Sequence, residues 1–136
     1  REMYVMGGRG RDGVVLNELW CLDTEKWLWR KEPSSPSPVC SHFTGLLRLP
    51  PSSRPCIVTV GGWNGETVTN DICIYDVLSR TWRMLPSCDA AVQHLEVRFA
   101  HAGCVIDDDV LCILGGVTIG RDLGDVCVIS VVGKEN

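Results

Sequence analysis

The sequence predicts an all-β protein built from small antiparallel sheets of short strands. Three observations carry that prediction. The chain has 136 residues with 14 Gly and 7 Pro, and the stretches between them are rich in Val, Ile and Leu. That mixture favours short strands punctuated by turns. The apolar runs are only four to six residues long, the length of buried strands and too short for helices. Finally, Gly-Gly recurs at Gly7-Gly8, Gly61-Gly62 and Gly115-Gly116, at a constant interval of 54 residues. A fixed period of this size marks a repeat architecture.

Each repeat can be followed element by element. An apolar strand ends at each Gly pair: Met3 to Met6, Ile57 to Val60, and Leu111 to Leu114. A loop follows and closes on a small polar pair, Asn17-Glu18, Asn70-Asp71 or Gly124-Asp125. A second apolar strand comes next: Leu19 to Leu22, Ile72 to Tyr75, and Val126 to Ile129. Two copies then carry Asp and, six residues on, Trp: Asp23 with Trp29, and Asp76 with Trp82; the third has Ser130 at the Asp position. The turns after Asp23 and Asp76 are short, so the strands they join are antiparallel neighbours. Gly-Gly at a strand end permits positive φ and close approach of another group, and the expected group is the ring of Trp29 or Trp82. One unit of this kind needs neighbours stacked against it to bury its faces.

These residues resemble the kelch repeat, one blade of a β-propeller. The match runs from Met3-Tyr4-Val5-Met6-Gly7-Gly8 through Asn17, Asp23 and Trp29. It recurs from Ile57-Val58-Thr59-Val60-Gly61-Gly62 through Asn70, Asp76 and Trp82, and again from Leu111 to Gly116 with Asp125. Arg98-Phe99-Ala100-His101 fits the family's first strand, and Ser41-His42-Phe43 fits it loosely, without the Arg. The resemblance implies four-stranded antiparallel blades. Here these would be a partial blade over 1–34, a complete one over 35–88 and a partial one over 89–136, with ten strands in all. Propellers close with roughly four to eight blades, so the chain reads as an incomplete propeller segment. The remaining blades would come from a longer chain or another copy.

Charge and composition narrow the function. Thirteen Lys and Arg against seventeen Asp and Glu leave a net charge of -4, which argues against nucleic acid as the partner. No apolar run reaches 18 residues, so no helical membrane span is expected, and no apolar stretch after the N-terminus reads as a signal peptide. Hydrophobic residues make up 45%, which excludes disorder over most of the chain. Most of the eight Cys lie in or beside apolar runs without a Cys-x-x-Cys pair. They read as core thiols of a reduced, cytoplasmic protein. Cys104 and Cys112 flank Asp107-Asp108-Asp109 symmetrically and would face each other across a hairpin. Cys88 is the least core-like thiol.

Catalytic signals are few and each has a plainer reading. Gly8-Arg9-Gly10-Arg11-Asp12-Gly13 satisfies Gly-x-Gly-x-x-Gly, but a strand follows where a dinucleotide site needs a helix. It reads as a flexible inter-strand loop. His42 and His101 stand where the family places a structural His or aromatic. His94 falls in a connection with a short helical turn over 89–95. No zinc or calcium spacing is present, so no metal or cofactor is expected. The proline-rich stretches at 31–38 and 50–55 read as a stiff inter-blade crossing and a long loop.

The resemblance therefore implies a non-catalytic protein-binding module, whose loops after the Gly pairs lie on one face and bind partners. That face would offer Arg9, Arg11, Trp63, Asn64 and Arg121, with Arg98 joining from the start of a first strand. Arg and Trp are the residues most enriched at binding hot spots, and an arginine cluster suits an acidic peptide or a terminal carboxylate. Usual employments of the family are substrate recruitment to a ubiquitin ligase, cytoskeletal binding and scaffolding. The alternative is a segment of a propeller-type metalloenzyme whose catalytic residues lie outside these 136 residues.

Overall fold

Strands alternate with turns from the first residues onward. The structure is a computed structural model and describes residues 1–85 and 94–131. Cys88, most of the helical turn expected over 89–95, and the far end of the last predicted strand lie outside the described residues. Among the described residues there is no helix.

Three antiparallel meanders follow one another. β1 (Glu2–Met6), β2 (Leu19–Asp23) and β3 (Leu28–Glu32) form the first sheet, in chain order. β4 (Phe43–Leu49), β5 (Arg54–Trp63), β6 (Val68–Asp76) and β7 (Thr81–Met84) form the second. In the third, β8 (Ala102–Asp107) pairs with β9 (Val110–Leu114), which pairs with β12 (Val126–Ser130). Between them, β10 (Val117–Thr118) and β11 (Arg121–Asp122) make a two-stranded hairpin inside the third loop. Among the described residues the count is twelve rather than the ten expected from the apolar runs. β10 and β11 carry too few apolar residues to show a strand pattern.

The repeat's Asp closes a turn. Asp23 Oδ1 accepts from the Glu25 and Lys26 amides at 2.9 and 3.0 Å. Asp76 does the same for Leu78 and Ser79, at the same distances. These Asx-type bonds fix the tight turns between β2 and β3 and between β6 and β7. The repeat's Asn ties down the connection to the next sheet: Asn17 Nδ2 donates to the Ser35 carbonyl at 3.1 Å, and Asn70 Nδ2 to the Leu95 carbonyl at 2.8 Å.

The second sheet is covered on both faces. On one, Ile57 and Tyr75 pack against Met6 and Leu19 of the first sheet. On the other, Val58, Val60, Ile72 and Ile74 pack against Leu111, Ile113 and Ile129 of the third. Each such aliphatic side chain, fully buried, stabilises by about 1.5–3 kcal/mol. β5 is accordingly buried almost along its length, whereas β1 and β12 are exposed on alternate residues. Burial on both faces therefore holds for β5 and β6, the two inner strands of the middle sheet, and not for its edge strands β4 and β7.

The group approaching each Gly pair is histidine, not tryptophan. Gly7 has φ +62°, and a Cβ there would lie 2.3 Å from the Val39 carbonyl oxygen and 3.3 Å from His42 Cε1. Gly61, also at φ +62°, meets the Arg98 carbonyl and His101 Cε1 at 2.9 and 3.0 Å. Each His thus reaches from the strand-one side of one unit onto the Gly pair of the unit before. Trp29 is 51% exposed, and Trp82 instead packs against Tyr75 in a tilted ring contact, with centroids 5.1 Å apart.

Candidate functional site: a loop groove between the first two sheets

The loop after the first Gly pair is internally hydrogen-bonded. Arg9 and Val15 form an isolated antiparallel bridge, Gly10 N donates to Val14 O at 2.8 Å, and Leu16 N donates to Gly8 O at 2.9 Å. The equivalent loop of the second sheet is tighter. Asn64 Oδ1 accepts from both the Glu66 and Thr67 amides at 2.8 Å. Its carboxamide oxygen therefore holds the turn that joins β5 to β6. Cys40 and Trp63 exchange two backbone hydrogen bonds of 2.9 Å, which seat the incoming connection against this turn.

These two loops enclose a groove of about 490 Å³. Arg9, Val14 and Val15 line it from the first loop, Trp63, Asn64 and Glu66 from the second, and Pro38 from the connection. Three of the six residues expected at a binding face, Arg9, Trp63 and Asn64, thus meet in one concavity. Sequence reasoning missed Val14, Val15, Pro38 and Glu66. The only signal for them was adjacency to the same loops.

The other three lie elsewhere. Arg11 is exposed at the tip of the first loop, off the groove. Arg121 lies on β11 in the third loop, where its Nη2 donates to Glu96 Oε1. Arg98 corrects the expectation of an exposed partner-binding cation, since its side chain is fully buried. Its Nη1 and Nη2 donate to Asp125 Oδ1 and Oδ2 at 2.7 and 2.8 Å, and Nη1 also donates to the Gly115 carbonyl at 3.0 Å. The guanidinium is enclosed by its own sheet and is not offered to a ligand. It holds the Asp125 carboxyl well below the usual carboxylate range.

A second buried charge joins the first two sheets. The Glu32 carboxylate accepts from Arg30 Nε at 2.6 Å, from the Tyr75 hydroxyl at 2.8 Å and from Arg80 Nε at 2.9 Å. Burial raises the Glu32 carboxyl and the three donors lower it, with lowering the net result. The Tyr75 hydroxyl is pushed up to about 12 by burial and by donating to Glu32. Glu32 is a junction residue, satisfied on both oxygens, and not a free acid for chemistry.

The histidines have the same structural character. His101 Nε2 lies 3.0 Å from the Val60 carbonyl. The Nδ1 atoms of both His42 and His101 are buried without a hydrogen-bond partner. Burial, together with nearby His101, pushes the His42 imidazole down to about 4. Among the described residues no three His, Cys, Asp or Glu side chains are grouped to hold a metal ion. Cys104 and Cys112 are direct cross-strand partners, as their spacing predicted. Cys104 is exposed, however, and not a core thiol.

The profile of the KLHDC2/KLHL20/DRC7 Kelch-repeats domain matches residues 1–135. The chain is also similar to Kelch-like protein 35 from Mus musculus, at 28% identity over 115 residues. That alignment covers 85% of this chain and 17% of the mouse protein. The chain therefore spans about a sixth of the length of the curated relative it matches.

Proposed function

Because the chain belongs to the kelch-repeat family, whose members commonly bind proteins, we propose that it is a non-catalytic interaction module with its binding groove between the first two inter-strand loops. The observation that carries this reading is the meeting of Arg9 and Trp63 in one concavity with Val14 and Val15. An arginine fork beside an indole and two aliphatic side chains suits a short protein segment with a carboxylate next to an apolar residue. The carboxylate is that of Asp, Glu or a chain terminus. The loops are held by backbone bridges and the Asn64 turn, so little ordering opposes binding. Buried thiols such as Cys21, Cys56 and Cys73 favour a reducing, cytoplasmic setting. Substrate recruitment to a ubiquitin ligase or scaffolding would use this groove in the same way.

Fluorescence anisotropy with labelled peptides tests the reading. Peptides carrying an acidic residue or free C-terminus are compared with their Gln or amide counterparts. The acidic set binds more tightly, and Arg9→Glu weakens that binding at least tenfold while the melting temperature stays within a degree. An Arg9→Glu protein that still prefers the acidic set as strongly as the unaltered chain would remove the groove from the function.

A further inference from the structure

Asn64 and Gly65 stand in the turn that joins β5 to β6, on the wall of the groove. The Asn64 side chain curls forward over Gly65, because its Oδ1 accepts from the Glu66 and Thr67 amides, both at 2.8 Å. Two N–H groups aimed at one oxygen draw electrons from the carboxamide carbon. They also stabilise negative charge that develops on that oxygen, as an oxyanion hole does. Among the described residues the Asn64 Nδ2 donates to no acceptor, and neither does the Gly65 amide. Gly65 is exposed and sits at φ +103°. Without a Cβ, it leaves its own nitrogen open to the carbon folded over it.

The other two asparagines of the described residues are placed differently. Asn17 Nδ2 donates to the Ser35 carbonyl and Asn70 Nδ2 to the Leu95 carbonyl, so neither amine is free to leave. Each is followed by a residue with a side chain, Glu18 or Asp71, which crowds the next amide. Of the three, only Asn64 combines a polarised carboxamide, an unhindered neighbouring nitrogen and an uncommitted amine. An aspartate also suits this turn. Asp23 and Asp76 each accept with Oδ1 from the amides two and three residues on, at 2.9 and 3.0 Å, as Asn64 does.

We propose that Asn64 is a site of deamidation, and that the carboxylate it gains weakens the groove's hold on acidic ligands; the second half rests on the groove reading above. The Gly65 nitrogen gives its proton to water or hydroxide and bonds to Asn64 Cγ. The Cγ–Nδ2 bond breaks, and the amine takes a proton from water and leaves as ammonia. A five-membered succinimide remains. Water opens it at Cγ to give aspartate, or at the backbone carbonyl to give isoaspartate. One water is taken up and one ammonia released, with no oxidant or reductant. The aspartate product keeps the bonds that hold the turn. It adds a negative charge to the wall that already carries Glu66, facing the loop of Arg9.

Peptide mapping by mass spectrometry tests the modification. The folded chain is held at neutral pH and body temperature beside the same chain unfolded in guanidinium chloride. Asn64 gains the mass difference between an amide and an acid, at least as fast folded as unfolded and several-fold faster than Asn17 or Asn70 in the folded chain. The rate rises with pH, because the attacking nitrogen must lose its proton. Slower conversion in the folded chain than in the unfolded one would overturn the inference, since the turn would then protect Asn64. The Asn64→Asp variant isolates the product for the anisotropy assay. It binds the acidic peptides about two- to fivefold more weakly than the unaltered chain, the range for charges acting across solvent, with the melting temperature unchanged. Equal affinity would overturn the regulatory half. If the unaltered chain binds none of the acidic peptides, the groove reading has failed and the regulatory half falls with it, while the mass readout still decides the modification.

Discussion

Arg98 and Asp125 face each other fork to fork, with Nη1–Oδ1 and Nη2–Oδ2 distances of 2.7 and 2.8 Å, and they differ sharply in exposure. The arginine is sealed inside the third sheet while the aspartate is half open to solvent. The two ends of the pair are therefore not equivalent. Asp125→Asn leaves a guanidinium buried without a counter-charge and should cost about 3–5 kcal/mol. Arg98→Met leaves a carboxylate that water can reach, and should cost clearly less. Urea unfolding of both variants checks the order; equal losses would mean that the pair's exposure has no bearing on its energetics.

A pH dependence follows from His42. Its imidazole is neutral in the fold, with a pKa near 4 caused by burial and by His101, and His101 is lowered as well. An unfolded histidine titrates near 6.5. Between about 6.5 and 4 the unfolded chain binds a proton that the folded chain refuses, so stability falls as pH falls through that window. Urea midpoints should drop from pH 7.5 to pH 5, above the range where most carboxylates titrate. His42→Gln should flatten the decline. An unchanged slope would place the acid sensitivity in other groups.

What the sequence made legible was local and periodic. The Asp that closes the turn, the Gly pair whose first member sits at φ near +62° and the Asn that anchors the connection all act within their own unit or just beyond it. The repeat displayed them two or three times. Arg98 was misread because its partner lies 27 residues on, across a sheet, with nothing local to announce it. The second unit held a clue. Val39 occupies the corresponding place before His42 and is buried, and a buried valine in one copy marks an interior position in the next. The groove was half legible, since Arg9 and Trp63 belong to different units. Loop lengths do not reveal how far stacking brings them together.

The two repeat-equivalent tryptophans should respond differently to truncation. Trp82 packs tilted against Tyr75 at the first junction, and its Nε1 donates to the Pro33 carbonyl at 2.7 Å. Trp29 holds the same register against Leu22 but is half exposed. Trp82→Ala should cost about 2–4 kcal/mol, below the range for a fully buried ring because part of this one is in water. Trp29→Ala should change stability by no more than about 0.5 kcal/mol. Both are measured by urea unfolding. Similar losses at the two sites would mean that the indoles act within their own sheets and not across the junction.

Glu66 supplies the sharpest check on what the groove recognises. Its exposed side chain stands on the rim with Arg9 and Trp63, and its amide is held by Asn64. The carboxylate repels an acidic ligand across a few ångströms of solvent, where charge pairs are worth about 0.2–1 kcal/mol. Glu66→Gln keeps the amide bond and the side chain's size while removing the charge. Affinity for the acidic peptides should rise about two- to fivefold, with the gain shrinking as salt is raised because the repulsion is screened. Weaker binding by Glu66→Gln would reverse the assignment: the groove would then select a basic segment through Glu66, with Arg9 serving only to shape its wall.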